Sequence, residues 1–144
     1  MSATRTAIEI TITAARAASE MKATSITAID VSERLVLTDT FLVLSGSSER
    51  QVRAIVDAVE EAVEKSGQKR IRREGLEGEA HWVLLDFGDL MVHVQQDEDR
   101  EYYALEKLWG DCPIIPLPDD ITADPEYKES ALSSYFDFSD LGNS

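Results

Sequence analysis

Cysteine is almost missing from this chain of 144 residues: Cys112 stands alone. A single cysteine cannot close an intramolecular disulfide, and such usage fits a reducing cytosol. Long apolar runs are missing too. No stretch approaches the roughly 20 residues that span a bilayer, so no membrane association is expected. The opening MSATRTAIEITITAARAASE has an early Arg5 but no long apolar core, so a signal peptide is not expected and the location is read as cytoplasmic. Basic residues are scarce. Fourteen Lys and Arg stand against 28 Asp and Glu, a formal net charge of −14. Free-standing nucleic-acid binding rests on cations that neutralise phosphate, so direct binding to nucleic acid is not expected. A basic protein surface is the more natural partner, although the same charge also serves solubility alone. There is no internal repeat.

What is present fits one domain with a real core: 43% hydrophobic and 29% charged residues, in a length too short for two ordinary domains. The organising stretch is WVLLDFGDLMVHVQQ, Trp82 to Gln96. Two apolar runs flank Gly88-Asp89, and Gly as first loop residue suits a two-residue hairpin. Phe87 then faces Leu90, Asp86 faces Met91, Leu85 faces Val92, Leu84 faces His93 and Val83 faces Val94. Side chains alternate across a strand. One face therefore carries Val83, Leu85, Phe87, Leu90, Val92 and Val94, and should lie against helices. The other carries Trp82, Leu84, Asp86, Met91, His93 and Gln95, a mixed surface suited to docking.

Elsewhere, Ala7, Ile10, Ala14, Ala17 and Met21 recur at helical spacing. The alternating Ile8, Ile10 and Ile12 would equally suit a strand; the alanine content favours a helix over residues 4–23. Ala28 to Val31 reads as a short strand and Thr40 to Ser45 as a stronger one. Ser48 with Gln51 has the form of a capping box. It opens a helix with Val52, Ile55, Val56, Val59, Ala62 and Val63 inward and Gly67 at its end. The basic run Gln68 to Arg73 has no interleaved aromatics, so a solvated strand or loop balancing the acidic helix is preferred to a nucleic-acid patch. Asp97, Glu98 and Asp99 suit a helix N-terminus, with Tyr102, Leu105, Leu108 and Trp109 as its stripe. Cys112 to Pro118 is an extended apolar segment, read as a strap over the sheet. From Asp119 onward, seven acids face one base, Lys128, as in a mobile acidic tail. Tyr135-Phe136-Asp137-Phe138 within it is either a docking motif or a remnant without a role. The fold class expected is α/β: a single mixed sheet with helices on one face and the other face open.

Catalytic constellations are hard to assemble. Nucleotidyl transfer needs a Gly-Ser turn for phosphate and paired acids for metal. Gly46-Ser47 supplies the turn, but Asp57 has no partner two residues on, and Asp86 and Asp89 need not converge. Asp86-Phe87-Gly88 matches the kinase metal triplet without its companion motifs. His81, His93 and Cys112 lack ligand spacing. No catalytic residue, metal or cofactor is assigned. A binding module leads, and a nucleotide-binding or nucleotidyltransferase-type enzyme is the alternative.

The segments TDTFLVLSGSSERQVRAIVDAVEE (Thr38 to Glu61), REGLEG (Arg73 to Gly78), WVLLDFGDLMVHV (Trp82 to Val94) and DREYYALEKLWGD (Asp99 to Asp111), in this order, resemble the ribosomal silencing factor S family, also called Iojap-related. The resemblance covers roughly residues 5–117 and leaves out the acidic tail. The domains are accordingly read as 1–117, the silencing-factor-like domain, and 118–144, the tail. The resemblance implies a nucleotidyltransferase-like fold without the catalytic acids. It further implies binding to protein fourteen of the large ribosomal subunit, steric exclusion of the small subunit, large-subunit assembly in organellar relatives, and homodimers. Strand alternation then suggests Trp82, Leu84 and Met91 as the apolar centre of the interface. Asp86 and His93 would set register, and Asp97 and Glu98 would lie at an acidic rim. Burial of Trp82 and Leu84 under the strap or in a homodimer is the competing role.

Overall fold

The structure, a computed structural model, describes residues 2–121, apart from the side chains of Tyr102, Tyr103 and Glu106. Its first element is helix α1, Arg5–Glu20. Thr4 caps it: its hydroxyl accepts from the Ala7 amide at 3.1 Å. The Ile8-Ile10-Ile12 alternation is overridden, and Ala7, Ile10, Ala14 and Ala17 form the buried stripe. Met21 falls outside it, as the C-cap, 38% exposed. Helix α2, Glu49–Lys65, starts at Ser48, whose hydroxyl accepts from the Gln51 amide. The reciprocal half of the box goes one residue further back, because Gln51 Oε1 accepts from Ser47 N and Oγ. Val52, Ile55, Val56, Val59 and Val63 are fully buried. Gly67 adopts φ +99° just past the Ser66 C-cap, the left-handed step that ends many helices.

Five strands form one mixed sheet in the order β1-β2-β5-β4-β3. They are β1 Ser25–Asp30, β2 Thr40–Gly46, β3 Arg72–Glu74, β4 Trp82–Asp86 and β5 Leu90–Gln96. Only β2 and β5 run parallel; the other neighbours are antiparallel. β1 begins at Ser25, earlier than Ala28. Ser25 and Thr27 are buried but hydroxylic, so the apolar pattern conceals the first half of the strand. The hairpin has the expected register: Asp86 pairs with Met91, Leu85 with Val92, Leu84 with His93 and Val83 with Val94. Gly88 takes φ +87° in the turn.

Val83, Leu85, Phe87, Leu90, Val92 and Val94 are all inaccessible and join α1 and α2 in the main core. The opposite face departs from expectation. It is covered over its β1–β2 half, where Ile29, Val31, Phe41 and Val43 pack with Leu105, Cys112, Leu35 and Trp109. That cover comes from α4 (Leu105–Leu108), the turn after it and Leu35; α4 follows α3 (Asp97–Tyr103), two short helices where the apolar spacing suggests one. Ala104 breaks them apart at φ 46°, ψ 54°. The break turns Leu105 and Trp109 onto Phe41, leaving Leu108 65% exposed instead of in the stripe. Tertiary packing outweighs helix propensity here.

The Cys112–Pro118 segment is not a strap over the sheet. Ile114 bridges Ile29, Asp30 N donates to Pro113 O at 2.8 Å, and Ile115 N donates to Ala28 O at 2.9 Å. The segment therefore closes the free edge of β1, whose backbone groups would otherwise be open to another chain. Packing continues to Ile121, which is buried, beside an Arg16–Asp120 ion pair. Most of the acidic tail, with Tyr135 to Phe138, lies outside the described residues.

Candidate partner-docking face

Because α4, the turn after it and Leu35 cover only one half of the second face, Trp82, Leu84, Asp86 and Met91 are left half-buried on β4 and β5. Trp82 sits against the covered half. Its indole Nε1 donates to His93 Nδ1 at 3.2 Å. His93 itself is 9% exposed and stacks edge-on to Phe41, with ring centroids 4.8 Å apart. Burial pushes its pKa down to about 4, so the ring is neutral at physiological pH. With Nδ1 accepting, the ring proton sits on Nε2, which finds no hydrogen-bond partner among the described residues. His93 therefore orients Trp82 from below and offers no surface charge.

Asp86 also has work inside the fold. Its Oδ1 accepts from Gly88 N at 2.9 Å, which fixes the hairpin turn, while Oδ2 lies 3.4 Å from Arg72 Nε. Asp97 accepts from the Thr24 hydroxyl, which also bonds Ser45 at 2.9 Å. Glu98 is exposed in the first turn of α3, where a carboxylate suits the helix dipole. The structure thus gathers Trp82, Leu84, Asp86, Met91 and His93 on adjacent strands, and sets Asp97 and Glu98 at the end of β5.

One residue was missed. His81, just before Trp82, bridges Asp99 through Nδ1 at 2.8 Å and Glu79 through Nε2 at 2.9 Å. Hydrogen bonds to Glu79 and then Asp99, with their charge, raise its pKa. The bridge ties the start of β4 to α3, and thereby fixes the cover beside Trp82. Eighteen residues separate His81 from Asp99, so no local sequence pattern could reveal it.

The motif residues around this face are largely structural. Arg53 Nη2 donates to the carbonyls of Leu76 at 2.9 Å and Gly78 at 2.7 Å, and Arg53 pairs with Glu49. At Gly75, with φ +95°, a Cβ would meet the Trp82 carbonyl oxygen at 2.1 Å. Only glycine lets the loop pass there. The arginines of the basic run are paired internally as well: Arg70 and Arg73 both with Glu60, and Arg72 with Asp86 and Glu74. The Gly46-Ser47 turn is likewise occupied, its Ser47 amide and hydroxyl both directed at Gln51. Among the described residues no three His, Cys, Asp or Glu side chains gather as metal ligands. No helix there is long and apolar enough to cross a membrane.

A family model described as ribosomal silencing factor during starvation matches residues 4–137. The chain belongs to the ribosomal silencing factor family. It is 40% identical over 104 residues to the ribosomal silencing factor RsfS of Bacillus subtilis, covering 72% of this chain and 87% of that one. It is 32% identical over 90 residues to the mouse protein named mitochondrial assembly of ribosomal large subunit protein 1, covering 60% of this chain and 39% of that protein. The fold matches a Chromobacterium violaceum crystal structure with TM-score 0.68 and 32% identity, over 83% of this chain and 96% of that one. Ribosome-associated silencing and translation regulation follow as the family's field of action, and the silencing-factor relatives are not named as enzymes.

Proposed function

We propose that this protein represses translation by docking on protein fourteen of the large ribosomal subunit, so that its bulk keeps the small subunit from joining. The observation that carries the reading is the half-covered second face: an apolar strip of Trp82, Leu84 and Met91 left unfilled in a chain of the silencing family. Buried aromatic and aliphatic anchors dominate interface energies, and Trp82 is pre-oriented by His93. A net charge of −14 steers the chain toward a Lys- and Arg-rich ribosomal protein. Asp97 and Glu98 would serve the rim of that contact. Asp86 contributes indirectly, by holding the hairpin turn, and His93 by holding Trp82.

The action is binding without catalysis and takes place in the cytoplasm. Residues 1–117 form the docking domain and 118–144 an acidic extension of it. The mouse relative is named for assembly of the mitochondrial large subunit, and a part in large-subunit assembly would use the same strip, for which self-association into a homodimer would compete. Capture of purified protein fourteen and of intact large subunits tests the reading. The unaltered protein should bind both and slow subunit joining. Trp82→Ala and Leu84→Asp, with circular dichroism unchanged, should each weaken capture at least tenfold. No capture by the unaltered protein, or full capture by both variants, would overturn it.

A further inference from the structure

The large apolar side chains that stay exposed among the described residues are Met21, Val36, Leu37, Ile71 and Leu108. Apolar side chains scattered singly over a surface need no explanation. Three of these are not scattered: Val36, Leu37 and Ile71 stand at one end of the sheet, beside the Gly88-Asp89 turn. Val36 and Leu37, 97% and 87% exposed, form the tip of the loop between β1 and β2. That tip is firmly tethered. Thr38 Oγ1 donates to Gly88 O at 3.1 Å, and the Asp39 and Thr40 amides both donate to Asp89 O at 3.0 Å. Ile71 N donates to Asp86 O at 2.7 Å, and its Cδ1 lies where a Cβ on Gly88 would meet it at 3.3 Å. At the base of the loop, Arg34 lies 4.5 Å over the Trp109 ring, pairs with Asp111 at 2.8 Å and donates to the Leu108 carbonyl at 3.4 Å.

The loop is continuous with the docking face. Leu35 turns inward and packs in the same cluster as Trp82 and Met91, while its two successors turn out. The uncovered strip is too small to serve alone. Two strands of five residues give roughly 10 by 17 Å, well short of the roughly 800 Å² that each partner of a stable complex buries. Charge selects the occupant. Around the loop tip and the turn, Glu33, Asp39 and Asp89 stand against Arg34, which is already paired with Asp111, while Arg70 and Arg72 on either side of Ile71 are paired with Glu60 and Asp86.

We propose that Val36 and Leu37 are a second anchor for the same basic partner, inserting into an apolar recess ringed by Lys or Arg. The footprint then runs from Trp82, Leu84 and Met91 around the hairpin turn to the loop tip. This rests on the reading that the second face docks on protein fourteen. Because the loop is held before binding, little ordering entropy opposes the contact.

A Val36→Ser/Leu37→Ser double variant of the full chain tests it, with purified protein fourteen as the probe. The two side chains bury almost nothing, so the melting temperature should match that of the unaltered protein. Binding should weaken at least tenfold, alongside Trp82→Ala in the same titration, while Met21→Ser binds normally. Normal binding by the double variant with loss by Trp82→Ala would overturn the second anchor and leave the proposed function standing. Failure of the unaltered protein to bind would overturn both. A dimer that the double variant converts to monomer, by light scattering, with partner binding unchanged, would assign the patch to a second copy of this chain and overturn the partner.

Discussion

The two faces of the sheet are built from alternate residues of the same strands, yet they are finished differently. On the first, Val83, Leu85, Leu90, Val92 and Val94 are aliphatic and fully enclosed by two capped helices. On the second, Leu84, Met91, Trp82 and His93 are mixed in polarity, and the cover is a broken pair of short helices that stops halfway. The second face also tolerates polar imperfection. Thr27 Oγ1, His93 Nε2 and both side-chain polar atoms of Gln95 are buried without hydrogen-bond partners among the described residues. Unsatisfied buried polar groups cost stability. The contrast gives the first face the stability and leaves the second, one residue apart along each strand, only partly finished.

Neighbouring leucines make the sharpest test. Leu85→Ala should cost about 3 kcal/mol, from lost burial plus the cavity left behind. Leu84→Ala, half-buried on the other face, should cost less than about 1 kcal/mol. Urea denaturation of both variants checks this. Equal costs would mean that the second face carries as much of the fold as the first.

The histidines sharpen the comparison through pH. The folded pKa of His93 is depressed from 6.5 to about 4 by burial. Above pH 6.5 neither folded nor unfolded chain protonates it, and its contribution is fully present. As pH falls from 6.5 toward 4, the unfolded chain takes up the proton first and stability drains, by roughly 3 kcal/mol at the lower end. His93→Gln keeps an acceptor for Trp82 and removes the titration. Its stability should therefore fall less steeply than the unaltered protein's across that window. Parallel curves would show that water already reaches His93. His81 works in the opposite sense: its pKa is raised by Glu79 and Asp99, so its bridge is strongest below pH 6.5 and fades as pH rises.

Much of this was legible in the sequence, for local reasons. Gly88 at the first turn position and strict alternation on either side set the register and both faces. Ser48 and Gln51 announced α2, and the basic run's role in balancing α2 appears as the Arg70 and Arg73 pairs to Glu60. The departures are all long-range. The Cys112–Pro118 segment is apolar enough to lie over the sheet, but the hydrogen-bonding groups of β1 draw it to the edge. Ser25 and Thr27 look like loop residues until their burial is seen. In Arg34-Leu35-Val36-Leu37, no spacing distinguishes the one side chain that turns inward from the two that turn out.

The helix break at Ala104 carries no glycine or proline to announce it, and it yields the smallest of the expected effects. An L-residue in the left-handed helical region is disfavoured by about 1–2 kcal/mol, because Cβ crowds the following carbonyl. Glycine lacks that Cβ but gives up more freedom on folding. The balance for Ala104→Gly should be a gain of about 0.5–1 kcal/mol, read as a rise of a few degrees in melting temperature. Partner binding should stay unchanged, since the break already holds the geometry that glycine would adopt. A lower melting temperature would instead mean that the Ala104 methyl packs well enough to outweigh its backbone strain. The cover of the second face would then be better finished than its broken helices suggest.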